Sequence, residues 1–258
     1  MKNVLGIHPT AIIGDNVSIG RNVSIGANTI VYDNVVLGDD TIVGAQCILG
    51  EPNAAIYADA AGYDNPRLVI GAHSLIRSGT IMYAGSDIGE RFETGHRVTI
   101  REKARIGANV RIGTLSDIQG HCEIGDYVRF HSNVHIGHAS VIKDYVWIFP
   151  YVVLTNDPHP PSDVLMGVTV EEFAVIATMS VILPGVTIGR DSLVGASSMV
   201  RKNVDPETVV AGNPAKQVAS IHDVRSKIDG SNVYPWREHF DRGMPWQGVG
   251  YEQWLASQ

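Results

Sequence analysis

Cysteine is scarce in this chain: two residues in 258, Cys47 and Cys122. Two thiols are too few for a disulfide framework, so the fold must rest on an apolar core. No run of 18 apolar residues occurs either, which leaves no candidate for a membrane-spanning helix. The opening MKNVLGIHPTAIIG lacks the long apolar stretch of a signal peptide, and a cytoplasmic location is the resulting expectation. Positive charge is not in excess. A formal charge of −7 argues against a nucleic-acid binder held by phosphate contacts, while leaving room for a local basic pocket around a small phosphorylated ligand. What the chain does have is apolar content, 44%, enough for a sizeable core and against disorder. Its length suits one large domain or two ordinary ones.

The dominant feature is a repeat of six. Ile13, Ile19, Ile25, Val31, Leu37, Val43 and Leu49 are all aliphatic, and glycine follows six of these seven. The phase breaks after Glu51, resumes at Ile70, and runs through Met82, Ile100, Ile118 and Ile136 to Leu154 without a slip. A third run spans Val170 to Val200, and of 28 such positions only Thr94 is polar. Four residues after each aliphatic stands a small or β-branched residue such as Val17, Val23, Ala104 or Val110, and both cysteines fall in this column. They read as small core residues, or as a metal or redox pair. Phe92 is large where the column is otherwise small, next to polar Thr94, which marks a locally altered coil.

A six-residue strand and turn cannot bury its own apolar face, whereas stacked units can, and such repeats therefore form solenoids. The pattern [LIV]-Gly-x-x-x-x resembles the hexapeptide-repeat family over roughly residues 7–216. The resemblance implies an all-β, left-handed parallel β-helix of about nine coils, in which residues 18 apart stack on neighbouring turns ~4.8 Å apart. Two insertions interrupt it, at 51–69 and 155–169. Unstructured excursions from a regular scaffold are commonly functional. The expected organisation is a β-helix domain over 1–217 and an extension over 218–258. In that extension, VASIHDVRSKI has the spacing of a short amphipathic helix, with Val218, Ile221, Val224 and Ile228 apolar. The following segment holds three of the four tryptophans, suited to capping an open end of the solenoid or to stacking a nucleotide base.

A metal site on such a scaffold needs His side chains in register. No two of His73, His96, His121, His131, His135 and His138 are 18 or 36 apart, so no metal is expected. The segment ILPGVTIGRDSLVGASSMVRKNVDPETVVAGNPAKQV, 182–218, resembles the C-terminal coils of acetyl-CoA-dependent family members. The resemblance implies a CoA co-substrate lying between subunits of a homotrimer. Small residues Ala177, Gly195 and Ala196 would flank its pantetheine arm, and Arg201, Lys202 and Lys216 would meet its phosphates. FETGHRVTIREKARIG and VVLTNDPHPPS together resemble nucleotide-sugar N-acyltransferases, which acylate the amine of a UDP- or dTDP-linked aminodeoxy sugar. The match places a catalytic asparagine at Asn156. It marks Arg101, Glu102, Asp157 and His159 as candidate substrate contacts, and His96 as a further site residue. An amine needs positioning more than activation, and the developing oxyanion needs a donor that an amide supplies. His138 lies 18 before Asn156 and would stack on the neighbouring coil, as a base or to orient the amide. Asp157 could hold an ammonium or brace its own turn. Acylation of another amine or of a hydroxyl, or a scaffold without catalysis, remain the competing functions.

Overall fold

In the computed structural model, which describes residues 6–258, every one of the 28 hexad positions falls in a short strand, from Ile12–Ile13 to Met199–Val200. Each strand is a few residues long and turns one side chain, the aliphatic, inward. The strands assemble into three parallel sheets of 10, 9 and 11 strands. Sheet 1 begins with Ile12–Ile13, sheet 2 with Ser18–Ile19 and sheet 3 with Ser24–Ile25, and the chain visits them in that order on every turn. Registration is by 18: Asp117 pairs with His135 and Ile118 with Ile136, and on the next turn His135 pairs with Val153 and Ile136 with Leu154. This is the left-handed parallel β-helix the hexads imply.

Two backbone demands explain the repeat's composition. Except where the chain leaves the coil, after Leu49, Leu154 and Val200, the third residue after the aliphatic turns the corner with positive φ, as at Asn16 (53°), Asn22 (56°), Asn28 (57°) and Asn34 (63°), a region asparagine tolerates better than most residues. The residue directly after the aliphatic lies against the neighbouring turn. A Cβ added at Gly26 would stand 2.5 Å from the Ala45 nitrogen. Inside, Ile100, Ile118, Ile136 and Leu154 are fully buried. Thr94 is the exception among them, and its hydroxyl is satisfied within the core. Its Oγ1 accepts from the Arg77 N–H at 2.9 Å, beside fully buried Phe92. Cys47 and Cys122 are buried, free and core-facing. Burial pushes both thiols up, that of Cys122 to about 11, so they serve as small core residues.

Both insertions break the count of six but leave the order of the sheets intact. The first departs after Ile48–Glu51, makes a 3-10 turn at Ala54–Tyr57 and rejoins at Leu68–Ile70. Buried Asn65 holds its exit by donating to the Gly50 carbonyl at 2.9 Å. The second leaves after Val153–Leu154 and returns at Thr169–Val170, which pairs with Val141–Ile142.

The C-terminal segment departs from the sequence reading in two ways. The helix predicted over 218–228 is absent. Lys216–Ser220 is instead a strand antiparallel to Thr208–Ala211, followed by a 3-10 turn at Ile221–Asp223. Ile221 is buried, whereas Val218 and Ile228 are 61% and 97% exposed, so no amphipathic face forms. The last turn leaves unpaired backbone at the edge of sheet 3, and an antiparallel strand satisfies it where a helix would not. The expected boundary at 217/218 falls within this strand.

The Trp-rich segment, in turn, does not cap the open end. With short helices at Trp236–His239 and Tyr251–Leu255, it folds back along the outside of sheet 3. There Trp236, Met244 and Trp246 pack with Phe173 and Val175, flanked by Tyr145, Trp147 and Phe149. Trp236 Nε1 donates to the Phe173 carbonyl at 2.8 Å, and Arg237 pairs with buried Asp191. The outward aromatics of sheet 3 and of its preceding corner need covering, and they fix where the segment docks.

Candidate functional site

The corner between sheets 1 and 2 breaks the glycine rule. Arg101, Gln119 and Thr155 occupy the position after the aliphatic, which at this corner is glycine only at Gly14, Gly50 and Gly137. The next position reads Glu102, Gly120, His138 and Asn156 on successive turns. Gly120 clears space for its neighbour: a Cβ there would lie 3.1 Å from the Glu102 carbonyl oxygen and 3.5 Å from its carboxyl group. Glu102 is held by Arg101, Nε to Oε2 at 2.9 Å and Nη2 to Oε1 at 3.2 Å, while the guanidinium lies 4.8 Å over the Tyr83 ring. Burial works to raise the Glu102 pKa. The bonds from Arg101 and its own backbone outweigh it, and the carboxyl titrates below its usual range.

His138 is half-buried at this corner, its ring centroid 4.8 Å from that of His121. Burial and the neighbouring His121 hold it below the ordinary imidazole pKa, with Glu102 pulling the other way. At neutral pH it is an unprotonated imidazole, free to accept a proton. On the adjoining face of sheet 1, His135 Nδ1 is 3.1 Å from Asp117 Oδ2, which also accepts from Gln119 Nε2 at 2.7 Å. Burial would raise the Asp117 carboxyl, but these two partners bring it down.

Asn156 sits where the chain leaves the coil. A Cβ on Gly137 would meet both its Cβ and its Oδ1 at 3.1 Å, so Asn156 covers the glycine next to His138. Its carbonyl accepts from the Met166 N–H at 2.8 Å, tying the end of the loop to its start. Thr155 Oγ1 donates to the Ile182 carbonyl at 2.9 Å. Of the two roles open to Asp157, the turn brace is the one formed: it accepts from Ser162 Oγ at 2.9 Å and the His159 N–H at 3.1 Å. The His159 side chain is exposed.

The corner column thus carries Arg101, Glu102, His138 and Asn156, with Asp157 and His159 on the loop that leaves it, but not His96. His96 stands exposed at the corner between sheets 3 and 1, its N–H donating to Thr114 Oγ1 at 3.1 Å. Ala177 and Gly195 share that corner further along, stacked on one another, and a Cβ at Gly195 would be 3.0 Å from the Ala211 Cβ. Exposed Ala196 borders this narrow column. Arg201, Lys202 and Lys216 line an open cavity of about 600 Å³ at the end of the solenoid, with Asn203 and Gln217. Corner 1–2 and corner 3–1 are the two edges of sheet 1.

Residue spacing alone misses His121, Asp117, Gln119 and Tyr83. His121 and His138 are 17 apart, not 18, and meet because side chains at a corner lean toward each other. The available signal was the loss of glycine at Arg101 and Gln119. Among the described residues no three His, Cys, Asp or Glu side chains converge as metal ligands.

Known proteins share the repeat and the fold. The family description "Bacterial transferase hexapeptide (six repeats)" matches residues 16–51 and 103–138. The galactoside O-acetyltransferase of Escherichia coli K12 is 33% identical over 119 residues, 38% of this chain and 59% of that enzyme, so the chain spans under two thirds of this relative. The acyl-[acyl-carrier-protein]–UDP-N-acetylglucosamine O-acyltransferase of Pseudomonas syringae pv. syringae is 36% identical over 219 residues, 81% of this chain and 70% of that enzyme. The Arabidopsis UDP-N-acetylglucosamine acyltransferase structure superposes with a TM-score of 0.58 at 18% identity, covering 83% of this chain and 74% of the other, a likeness of fold. By its repeat, its solenoid and the extent of the match to the P. syringae enzyme, the chain belongs to the hexapeptide-repeat acyltransferases.

Proposed function

We propose that this protein transfers an acetyl or other small acyl group from acyl-CoA to a nucleotide-linked sugar, with His138 as general base. One observation carries the reading: an imidazole kept neutral by burial and His121, in the column of corner residues that runs from Glu102 to Asn156 on successive turns. Such a base suits a hydroxyl acceptor. His138 takes the hydroxyl proton as the oxygen attacks the thioester carbonyl. Asn156 donates to the oxyanion, and collapse expels the CoA thiolate, which receives the proton from the imidazolium. Base catalysis of this kind contributes about 10²–10⁴-fold. The sugar-nucleotide acceptor is supported by the TNDPHPP and TGHR segments and by the similarity to an enzyme named for UDP-N-acetylglucosamine.

A second reading, transfer to a sugar amine, draws on Asn156 being fixed over Gly137 at the base of its loop. An amine attacks without a base, and positioning by Asn156 then matters more than His138.

Of the donor residues, Ala177, Gly195 and Ala196 lie on the other edge of sheet 1, and a homotrimer would complete the site. Sheet 1 presents Ile30, Ile48, Ile81, Val153, Val181 and Met199 outward around the Asp117–His135 pair. Sheet 2 presents Asp87, Arg105 and Glu123, and sheet 3 is partly covered by the aromatic segment. Packing three copies through sheet 1 sets Ala177, Gly195 and Ala196 of one copy against the His138 corner of the next. The test is CoA release with acetyl-CoA and a panel of UDP- and dTDP-linked sugars and amino sugars. Turnover with hydroxyl acceptors that collapses in His138→Gln supports the first reading. Turnover restricted to amino sugars and indifferent to His138 supports the second.

A further inference from the structure

On the outer face of sheet 3, beside the docked C-terminal segment, runs a column of charge: Glu93, Arg111 and Arg129 on successive turns. Arg129 is only 6% exposed, and among the described residues it makes no ion pair. Its guanidinium donates to backbone alone, Nη1 to the carbonyls of Asn109 and Val128 and Nη2 to that of Gly243 at 2.7 Å. The nearby carboxylate is already shared: Glu93 lies 2.8 Å from Arg77 and 3.3 Å from Arg111. Arg91 is paired with Glu90. Four arginines therefore face two glutamates. Three of them, Arg91, Arg111 and Arg129, line an open cavity of about 570 Å³ together with His73, Glu93 and Tyr127. Burial and the proximity of Arg111 bring the Arg129 pKa down to about 10, which leaves it cationic at neutral pH.

We infer that this cavity binds a phosphate group. A desolvated guanidinium without a counter-ion is costly, and backbone carbonyls offset only part of the cost. An entering phosphate supplies the missing charge and suits the planar fork of arginine. The site lies on sheet 3, away from the corner assigned to acyl transfer, and stands whether or not that assignment holds. The phosphate could arrive as the free ion or on a nucleotide, and the two sources are separable.

The experiment measures inorganic phosphate and UDP binding to the full chain by calorimetry and thermal shift, at constant ionic strength in chloride. Arg111→Gln is the principal variant, since Arg111 is an exposed side chain that does not hold the C-terminal segment. Phosphate is expected to raise Tm, and Arg111→Gln to weaken its binding about 10-fold or more, the loss of one charge-assisted contact. Tryptophan fluorescence should report an unchanged aromatic cluster, and CoA release should be unaffected. If UDP binds more tightly than phosphate and loses that advantage in Arg111→Gln, the phosphate arrives on a nucleotide. Equal affinities assign the free ion. No shift beyond that of chloride, or a shift untouched in Arg111→Gln, overturns the inference. Neither result depends on the CoA-release assay.

Discussion

His138 shows how a single side chain acquires its chemistry from the turn below it. His121 reaches it from the preceding turn, and Gly120 opens the space through which Glu102 approaches. Because its pKa is lowered from 6.5, the acid limb of the pH–rate profile should have its midpoint below 6.5, and His138→Gln should abolish that limb along with about 10²–10⁴ of the rate. The same shift makes a stability statement. The unfolded chain takes up a proton more readily, so this residue's contribution is complete above about pH 6.5 and is lost as the pH falls below it. Asn156→Ala should lower turnover by ~10²–10³ if the amide is the oxyanion donor, with CoA affinity retained in calorimetry. Asn156 was legible through the resemblance of its Thr-Asn segment, and His138 through its spacing of 18 from Asn156, which puts the two on neighbouring turns of a rigid solenoid. His121, Asp117 and Gln119 were not, because side-chain direction rather than backbone register decides which groups meet at a corner.

Among the elements, the hexad is close to a complete instruction. Aliphatic, glycine and turn positions each answer a separate steric demand, and all 28 predicted inward positions lie in strands. Gly113→Ala tests that logic in a turn with no catalytic role. The new Cβ would fall 2.5 Å from the backbone nitrogen of Ser132, and a loss of about 1–3 kcal/mol is expected in urea unfolding. The segment after Val218 defeats the sequence pattern for an equally physical reason. Its apolar spacing suits a helix, but the open edge of sheet 3 offers hydrogen bonds that only an extended chain can take. Local periodicity holds no information about an edge created by residues elsewhere in the chain.

The whole molecule divides its candidate machinery between two edges of one sheet. Acceptor-side groups lie at the corner of His138 and Asn156, and donor-side groups at the corner of Ala177, Gly195 and Ala196. If three copies join through sheet 1, variants disabled at opposite corners should complement each other. Mixing His138→Gln with Ala196→Trp during assembly should restore about a quarter of wild-type activity by random association, whereas either variant alone stays inactive. Activity that never rises above the single variants would place both halves of the site within one chain.

Acyl transfer at the His138 corner is tested most directly by CoA-thiol release from acetyl-CoA in the presence of UDP- and dTDP-linked sugars, with wild type and His138→Gln side by side. The expected result is release that depends on one sugar nucleotide and falls by at least ~10²-fold in the variant. Release that needs no sugar nucleotide, or proceeds equally well without the His138 imidazole, would contradict it.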